Sequence, residues 1–387
     1  MKIGIFGGTF DPPHIGHVSS AKAAADQLRL DLLIVVPSGI PPHKAVPPDD
    51  PPADMRLIMT KAAFKGVHNA IVSDIEIRKD GPCYTIETIE ALKGDYPGAQ
   101  LFLLIGTDMF MTLQSWRDSE RLLREVTPAV FSRSQGDLDR ISEHAKKLHE
   151  KFGAETTIVA NGPVEISSSE LREMLPRREG SRYIIDTTYS YIIQNRLFNA
   201  KPDWDWLRAK AHSMLDAARI PHVDGCEQEA LRLAAIWGVD ADDAREAAIL
   251  HDITKKLSVD ENIGILEQYG IMVGDLGNNE EKLLHSKTGA VLAKQQFGVS
   301  ERVAEAINWH TTGKADMADL EKVIYLADYI EPTRNFEGVE DLRALAYEDL
   351  DKALIMGLEM SVADMEARGI IPNRTTFEAL AYLSNNS

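Results

Sequence analysis

The sequence predicts an α/β domain, with a parallel sheet and helices on both faces, followed by an all-α domain. Strand-like runs alternate with helical ones as far as about residue 196. From about residue 204, nearly every segment carries the apolar spacing of a helix. The length of 387 residues also exceeds what one ordinary core holds, so that two domains are expected.

The first half begins with a strand that is a continuous apolar run. We predict strands at KIGIFG, LLIVVP, IVSDIEI and LFLLIG, and amphipathic helices at VSSAKAAADQL, ADMRLIMTKAAF and YTIETIEALKG. Buried strands separated by helices pair in parallel and are covered on both faces. The Pro-rich stretch PSGIPPHKAVPPDDPPAD cannot be regular structure and is typical of a binding loop.

The second half is predicted to be helical throughout. Helical spacing is found in DWDWLRAKAHSMLDAAR, EQEALRLAAIW, DADDAREAAILHDI, KTGAVLAKQQF, SERVAEAINWH, LEKVIYLADYI and LDKALIMGLEMSVADMEARG. The stretch NAKPD at 199–203 is the best linker candidate. We therefore predict domains at 1–198 and 205–387, with a linker at 199–204.

Charge and composition exclude several classes of function. The chain has 60 acidic and 42 basic residues and a net charge of −18, which disfavours general binding to nucleic acid. No apolar run is long enough to span a membrane, and the N-terminus does not have the pattern of a signal peptide. Cys83 and Cys226 are far apart in the sequence, so a reduced, cytoplasmic setting is expected.

The stretch GGTFDPPHIGH, residues 7–17, follows the first predicted strand. It would lie at the carboxyl edge of a parallel sheet, where α/β folds bind ligands. Gly7 and Gly8 allow the backbone to approach a phosphate closely. His14 and His17 lie three residues apart near a helix N-terminus, where two imidazoles can donate hydrogen bonds to phosphate oxygens.

A second anion site is predicted at ISSSELR, residues 166–172. Ser167 and Glu170 have the spacing of a capping box, which places Ser168 and Ser169 at a helix N-terminus. Their amides and hydroxyls can hold a β- or γ-phosphate, with Arg172 one turn further on.

GGTFDPPHIGH resembles the motif of the HxGH nucleotidyltransferases, specifically the bacterial nicotinate-mononucleotide adenylyltransferases. Other stretches resemble that family in the same order: PPHK at 41–44, CYTIET at 83–88, IGTD at 105–108 with Trp116 and Arg133 after it, and ISSSELR. The resemblance covers nearly all of residues 1–196 and implies a Rossmann-like nucleotidyltransferase fold. The alternative within the superfamily is a phosphopantetheine or cytidylyl transferase.

The resemblance implies that the 5′-phosphate of nicotinate mononucleotide attacks the α-phosphorus of ATP. Pyrophosphate would leave, nicotinate adenine dinucleotide would form, and Mg²⁺ would accompany the triphosphate. The residues implied to supply positive field are His14, His17, Lys44 and Arg172. The implied substrate contacts are Gly7, Gly8, Thr9 and Phe10 in the first loop, Tyr84 and Thr85 near the nicotinate carboxylate, Gly106 and Asp108 at the nucleotide, Trp116 at the pyridine ring, Arg133, and Ser168 and Ser169 at the phosphates.

In the helical half, imidazoles and carboxylates recur on successive predicted helices. The candidate metal ligands are His222, His251, Asp252, His285, His310 and Asp328. Helices of a bundle can direct such side chains at one centre. Imidazoles with carboxylates suit iron, manganese or zinc, Asp252 could bridge two ions, and Asp224 or Glu227 could orient His222.

This order of ligands resembles the two-metal HD-domain phosphohydrolases. IPHVDGCEQEALRLA, ILHDITKKLS, LLHSKTGAVLA, NWHTTGKADM and VIYLADYIEPTR are similar to the bacterial symmetrical diadenosine tetraphosphate hydrolases, although HVDGCEQ stands where that family more often has HSLGV. The resemblance covers about 205–380. It implies an iron centre, with manganese as the alternative, that hydrolyses diadenosine tetraphosphate to two ADP. Asp252 and Lys255 would be catalytic, with Arg334 at the phosphate chain.

Together, the two resemblances imply a bifunctional enzyme. For the helical half, three alternatives stay open: another HD nucleotidase, a cyclic-dinucleotide phosphodiesterase, and a regulatory helical module without catalysis.

Overall fold

A computed structural model describes residues 1–40, 50–132, 135–160, 162, 164, 166–272 and 283–386. The chain divides into two compact units, Met1–Asp203 and Trp204–Ser387. Within the described residues, no helix is both long and apolar enough to cross a bilayer. Lys44 and Arg133 lie outside the described residues.

The first unit contains a sheet of six parallel strands among its described residues. Their order is β3-β2-β1-β4-β5-β6. The strands are β1 Lys2–Gly8, β2 Leu32–Pro37, β3 Ala70–Val72, β4 Gln100–Gly106, β5 Thr127–Ser132 and β6 Thr157–Ala160. The helices are α1 Ile15–Leu28, α2 Ala53–Phe64, α3 Thr85–Asp95, α4 Thr107–Thr112, α5 Ser119–Glu125, α6 Gln135–Phe152, α7 Ser168–Met174 and α8 Asp186–Gln194.

Both faces of this sheet are buried. Alternate residues of β1 belong to different apolar clusters, with Ile3 and Ile5 in one and Phe6 in the other. The first cluster is completed by α3 to α6, and the second by α1 and α2. Since successive side chains of a strand point to opposite faces, helices cover both sides of the sheet. The predicted α/β architecture is thereby confirmed.

The sheet differs from the prediction in two respects. The run IVSDIEI is extended only as far as Val72, because its chain enters a turn in which the Arg78 amide donates to the Asp74 carbonyl at 2.9 Å. Strands β5 and β6 were not predicted. β6 has only four residues and lies at the edge of the sheet, so its sequence lacks the continuous apolar run of a central strand.

The second unit is helical throughout its described residues. Its helices are α9 Trp204–Ser213, α10 Ile220–Trp237, α11 Ala241–Leu250, α12 Val259–Gln268, α13 Leu284–Phe297, α14 Glu301–Trp309, α15 Asp319–Ile330, α16 Val339–Glu348, α17 Leu350–Ala367 and α18 Arg374–Asn386. One apolar cluster joins residues from most of these helices. Eight of the twelve residues of α15 are buried, so this helix lies in the interior of the unit. The predicted all-α fold is confirmed.

Candidate functional sites

The first site lies where β1 and β4 end side by side. β1 pairs with β2 on one side and β4 on the other, so the order of strands reverses at this point. Such a reversal opens a crevice at the carboxyl edge of the sheet, where ligands bind. Gly7 and Gly8 end β1 and Gly106 ends β4, so all three predicted glycines are at this edge.

The two histidines of the first loop form the N-terminal cap of α1. The Gly16 amide donates to His14 Nδ1 at 3.2 Å, and the His14 amide donates to His17 Nδ1 at 3.2 Å. Because both Nδ1 atoms accept hydrogen bonds, a neutral ring must carry its proton on Nε2. Each imidazole therefore has its N–H donor on the atom opposite the helix cap.

The aromatic ring of Phe10 packs against the ring of His17. Its ring is 1% exposed and makes an edge contact with the His17 ring, with centroids 5.1 Å apart. The buried ring of Phe10 packs against the imidazole, and the predicted substrate contact of this residue stays a prediction. Its backbone has a φ of 50°, a left-handed conformation that aromatic residues rarely adopt.

Helix α7 closes the other side of this site. The Ser167 hydroxyl accepts from the Glu170 amide and the Glu170 carboxylate accepts from the Ser167 amide, which is the predicted capping box. The Ser168 hydroxyl donates to the Pro12 carbonyl at 2.8 Å, and Arg172 Nη1 donates to the Asp11 carbonyl at 2.6 Å. These bonds hold the helix N-terminus beside the first loop.

A cavity of about 260 Å³ lies between the first loop and α7. Its lining includes six of the predicted residues: Gly7, Gly8, His14, His17, Gly106 and Ser168. Ser169 and Arg172 stand next to it, where Arg172 Nη2 donates to the Ser169 hydroxyl at 3.3 Å. The cavity thus combines glycine backbone that a ligand can approach closely, two imidazole donors and a helix N-terminus. These features bind phosphate.

The remaining predicted contacts are not among the residues that line this cavity. Asp108 is exposed in the first turn of α4, the helix that begins directly after Gly106. Tyr84 precedes α3, which begins at Thr85, and the Arg117 guanidinium lies 4.2 Å from the centre of the Tyr84 ring. Trp116 packs partly against the core.

Arg56 is a structural residue of this site that the sequence analysis missed. Its buried guanidinium donates to the Thr9 carbonyl at 2.9 Å and to the Ser38 carbonyl at 2.8 Å. It therefore ties the first loop to the start of the Pro-rich loop. Burial lowers the pKa of Arg56, although the nearby carboxylate of Asp11 opposes this effect. No motif marks it, because it is one cation within an amphipathic helix.

The second site lies in the helical unit, where five helices bring the six predicted ligands together. His222 is on α10, His251 and Asp252 follow α11, His285 is on α13, His310 follows α14 and Asp328 is on α15. His222, His251, His285, Asp252 and His310 are each at most 6% exposed. The predicted convergence of these side chains is observed.

Hydrogen bonds on the outer side of three imidazoles fix their orientation. His251 Nδ1 donates to the Ala248 carbonyl at 2.7 Å, and His310 Nδ1 donates to the Ile307 carbonyl at 2.6 Å. His222 Nδ1 donates to Glu331 Oε1 at 3.0 Å. With the proton on Nδ1, each neutral ring turns the lone pair of Nε2 inward, as a metal ligand requires.

Asp252 stands at the middle of the cluster and is fully buried. Its Oδ2 atom lies 3.4 Å from His251 Nε2 and 3.9 Å from His222 Nε2. Its Oδ1 atom lies 3.3 Å from His285 Nε2 and 3.6 Å from His310 Nε2. The two oxygens therefore face two different sets of imidazoles.

The donor set fits a pair of divalent cations. Asp252 Oδ1 and His310 Nε2 are buried and have no hydrogen-bond partner among the described residues. The Nε2 atoms of His222 and His251 face each other at 3.3 Å, and His222 Nε2 is 3.0 Å from Asp328 Oδ1. Two lone pairs directed at each other are unfavourable unless a cation or proton lies between them. His222, His251, Asp252 and Asp328 would hold one ion, and Asp252, His285 and His310 the other.

The charge states suit metal binding. Burial alone would raise the pKa of Asp252, but the imidazoles around it hold this pKa well below its usual range, so the carboxylate is ionised. Burial lowers the pKa of His285 to about 4, which leaves its ring neutral at neutral pH. Ionised carboxylates and neutral imidazoles are the forms that bind divalent metals.

The carboxylate that contacts His222 Nδ1 is that of Glu331, and the two acids considered from the sequence, Asp224 and Glu227, contact other residues. Glu227 instead accepts a hydrogen bond from Arg208 Nη2 at 2.7 Å, and the Asp224 carboxylate contacts His212 Nε2 at 2.9 Å. Gly225 explains how Glu331 comes so close to α10, since a Cβ there would lie 2.5 Å from Glu331 Oε2. The sequence signal was the acid of EPTR, three residues after Asp328.

Three cations surround the cluster. Lys255 Nζ donates to His285 Nε2 at 2.9 Å, and Arg334 Nη2 contacts Asp328 Oδ1 at 2.6 Å. Arg219, which the sequence analysis did not select, donates from Nε to Asp252 Oδ2 at 2.6 Å. Lys255 and Arg334 are the two cations predicted to contact phosphate, and each contacts a candidate metal ligand at the periphery of the cluster. Such cations can exchange a carboxylate partner for a phosphate.

A groove of about 620 Å³ is lined in part by the candidate metal ligands His310 and Asp328. Arg334 is among its lining residues, and the rings of Tyr329 and Phe336, with centroids 5.2 Å apart, form part of its wall. The rest of the lining is Thr311, Tyr325, Glu337, Met360, Ser361, Ala363 and Asp364. A cation for phosphate and aromatic faces for a base are what a nucleotide needs.

Both units match known protein families. The Cytidylyltransferase-like family matches residues 5–174, and the HD domain family matches residues 219–333. A protein of Mycoplasma genitalium named probable nicotinate-nucleotide adenylyltransferase/Ap4A hydrolase is 30% identical over 368 residues, covering 93% of this chain and 97% of that protein. A probable nicotinate-nucleotide adenylyltransferase of Rubrobacter xylanophilus is 36% identical over 199 residues, covering 51% of this chain and 91% of that protein.

A solved structure is similar to part of the chain. The crystal structure of a predicted HD superfamily hydrolase involved in NAD metabolism, from Clostridium acetobutylicum, shares 38% identity and covers 49% of this chain and 100% of that one, with a TM-score of 0.47.

The fold and sites define a protein that joins a nucleotidyltransferase-type α/β domain to a helical HD domain. The chain belongs to the bacterial nicotinate-mononucleotide adenylyltransferase family, in the form fused to an HD-domain phosphohydrolase. The family resemblance stated from the sequence is thereby confirmed.

Proposed function

We propose that the first unit transfers AMP from ATP to nicotinate mononucleotide. An oxygen of the mononucleotide 5′-phosphate attacks the α-phosphorus of ATP, the bond from that phosphorus to the bridging oxygen breaks, and pyrophosphate leaves. The observation that carries the proposal is the pair of Nε2 donors of His14 and His17, which the cap of α1 holds at the lining of the cavity of about 260 Å³. The names of the relatives support the choice of substrates.

In this reaction the chain positions two anions and neutralises charge, and no covalent nucleophile is needed. His14 and His17 would donate to oxygens of the α-phosphate, while the N-terminus of α7, with Ser168, Ser169 and Arg172, would hold the leaving pyrophosphate. Mg²⁺ bound to ATP would add positive charge. Lys44 and Arg133 complete the proposed set from the family resemblance.

The test of this first activity is the variant His17→Asn. Asparagine keeps an acceptor for the His14 amide but removes the Nε2 donor, so kcat should fall about 10²- to 10³-fold. Nicotinate adenine dinucleotide is quantified by chromatography. The matched control is His149→Asn, which changes an exposed histidine of α6 and should leave kcat unchanged. Equal activity of both variants would refute the role of the imidazoles.

We propose that the second unit hydrolyses diadenosine tetraphosphate symmetrically to two ADP. The observation that carries this proposal is Asp252, whose two oxygens face two separate sets of metal ligands. When bound, two divalent ions would supply the activated water and part of the charge neutralisation. Lys255 and Arg334 would bind the phosphate chain, and the groove with Tyr329 and Phe336 would take one nucleoside.

The second activity is tested by the identity of the products. Protein loaded anaerobically with Fe²⁺ or Mn²⁺ should convert diadenosine tetraphosphate to ADP alone, and Asp252→Asn should abolish this reaction without changing adenylyl transfer. Asp260→Asn is the control, because Asp260 lies in the first turn of α12 and outside the cluster. ATP with AMP would show asymmetric cleavage, and no turnover with either metal would favour another HD substrate or a regulatory module.

A further inference from the structure

Cys226 lies among the ligands of the metal centre. It follows His222 by one turn on the same face of α10, and its side chain is 1% exposed. Its Sγ atom lies 3.5 Å from His222 Nε2, the ring atom that faces the centre. The ligand atoms of His222, Cys226, His251 and Asp328 all lie within 4.8 Å of one another.

These distances match those of ligands that share an ion. Metal–nitrogen and metal–sulfur bonds of about 2.1 and 2.3 Å place the nitrogen and sulfur about 3.1 to 3.6 Å apart for bond angles between right and tetrahedral. The Sγ–Nε2 separation of 3.5 Å falls in that interval. The other contact of the thiol is long, since Sγ lies 3.8 Å from the Ala327 carbonyl.

We propose that Cys226 is a thiolate ligand of the ion that His222, His251, Asp252 and Asp328 would hold. The proposal rests on the proposed metal centre. When the sulfur–metal bond forms, the S–H bond breaks and its proton passes to solvent. The other ligand set, Asp252, His285 and His310, offers only nitrogen and oxygen.

The two metal positions therefore differ in chemical preference. A soft thiolate selects Zn²⁺, Fe²⁺ or Co²⁺ over Mn²⁺ and Mg²⁺, whereas imidazole and carboxylate also accept Mn²⁺. One position would retain a thiophilic ion, and the other would exchange its ion more readily with the metals available. If Cys226 were only a packing residue, it would not affect the spectrum of a bound metal.

Cobalt spectroscopy of the full chain tests the proposal. Metal-free protein titrated anaerobically with Co²⁺ should develop a near-ultraviolet sulfur-to-cobalt charge-transfer band. Cys226→Ala should lose this band and bind the first equivalent of Co²⁺ about tenfold or more weakly. Cys83→Ala is the control, because Cys83 is the other cysteine and lies in the first unit, so the band should persist.

X-ray absorption of the wild-type protein with one equivalent of Zn²⁺ avoids dependence on a variant that fails to fold. A sulfur scatterer at about 2.3 Å is expected. Binding with only nitrogen and oxygen scatterers would overturn the role of Cys226 and leave the metal centre intact. Failure of the wild-type chain to bind Co²⁺ or Zn²⁺ would overturn the metal centre and the cysteine ligand together.

Discussion

At the scale of single residues, each site depends on which nitrogen of an imidazole carries the proton. In the first unit, His14 and His17 accept at Nδ1 and present an N–H donor at Nε2. In the second unit, His222 and His251 donate at Nδ1 and present a lone pair at Nε2. The same type of side chain would therefore bind phosphate in one unit and metal in the other, because its hydrogen-bond partner differs.

Glu331→Gln tests the residue that orients His222. Glutamine keeps an oxygen for His222 Nδ1 but removes the charge that strengthens the ring as a ligand, so the affinity for metal should fall about 10- to 100-fold. Isothermal titration of metal-free protein measures the change. Glu348→Gln is the control, since Glu348 is exposed at the end of α16. Unchanged affinity would mean that His222 does not depend on this carboxylate.

At the scale of secondary structure, the ends of helices carry both sites. The α1 and α7 N-termini face the first cavity, and the C-terminal ends of α11 and α14 supply His251, Asp252 and His310 to the second. A helix end leaves backbone groups without intrahelical partners, and these groups can orient a side chain or bind an anion. The carbonyls of Ala248 and Ile307 are such groups, and they accept hydrogen bonds from the Nδ1 atoms of His251 and His310, respectively.

Ser167→Ala tests the capping box of α7. Loss of a serine cap costs about 1 kcal/mol, so the amides of residues 168–174 should exchange hydrogen about fivefold faster. Peptide-level hydrogen exchange measures this, and the affinity for ATP should fall in parallel. Ser190→Ala is the control, because the Ser190 hydroxyl bonds only to a carbonyl of its own helix, that of Asp186. Equal exchange in both variants would show that the cap does not stabilise α7.

At the scale of the whole chain, each unit has its own core and its own chemistry. The apolar residues of Met1–Asp203 and Trp204–Ser387 form separate clusters. We therefore expect that a substitution in one unit removes the activity proposed for that unit, while the other activity persists in the same chain.

Removal of metal provides a test of this independence. A chelator, followed by desalting, should abolish hydrolysis and lower the thermal midpoint of the helical unit, while adenylyl transfer assayed with fresh Mg²⁺ persists. An ion at 100 times its dissociation constant stabilises the folded state by about 2.7 kcal/mol. Differential scanning calorimetry measures both transitions. A simultaneous shift of both would contradict independent unfolding of the two units.

The sequence by itself determined the fold class and the family, and it selected the candidate ligands. Continuous apolar strands specify a doubly covered parallel sheet, and a glycine turn after β1 specifies an anion site, because these are local properties of the chain. The capping box at Ser167 was predicted for the same reason. The candidate metal ligands followed from residue type and order in the chain.

Only the tertiary structure decided which side chains support the candidate ligands of the second site and the first loop of the first site. Glu331, Arg219 and Arg56 act on partners 109, 33 and 47 positions away in the chain. Their roles follow from packing. Of the three, only Glu331 has a signal in the sequence, since it follows Asp328 by three residues. Packing also buried Phe10 and placed Cys226 within reach of the metal ligands. Local patterns show what chemistry a segment can perform, whereas burial and proximity, which the whole fold sets, decide which residues perform it.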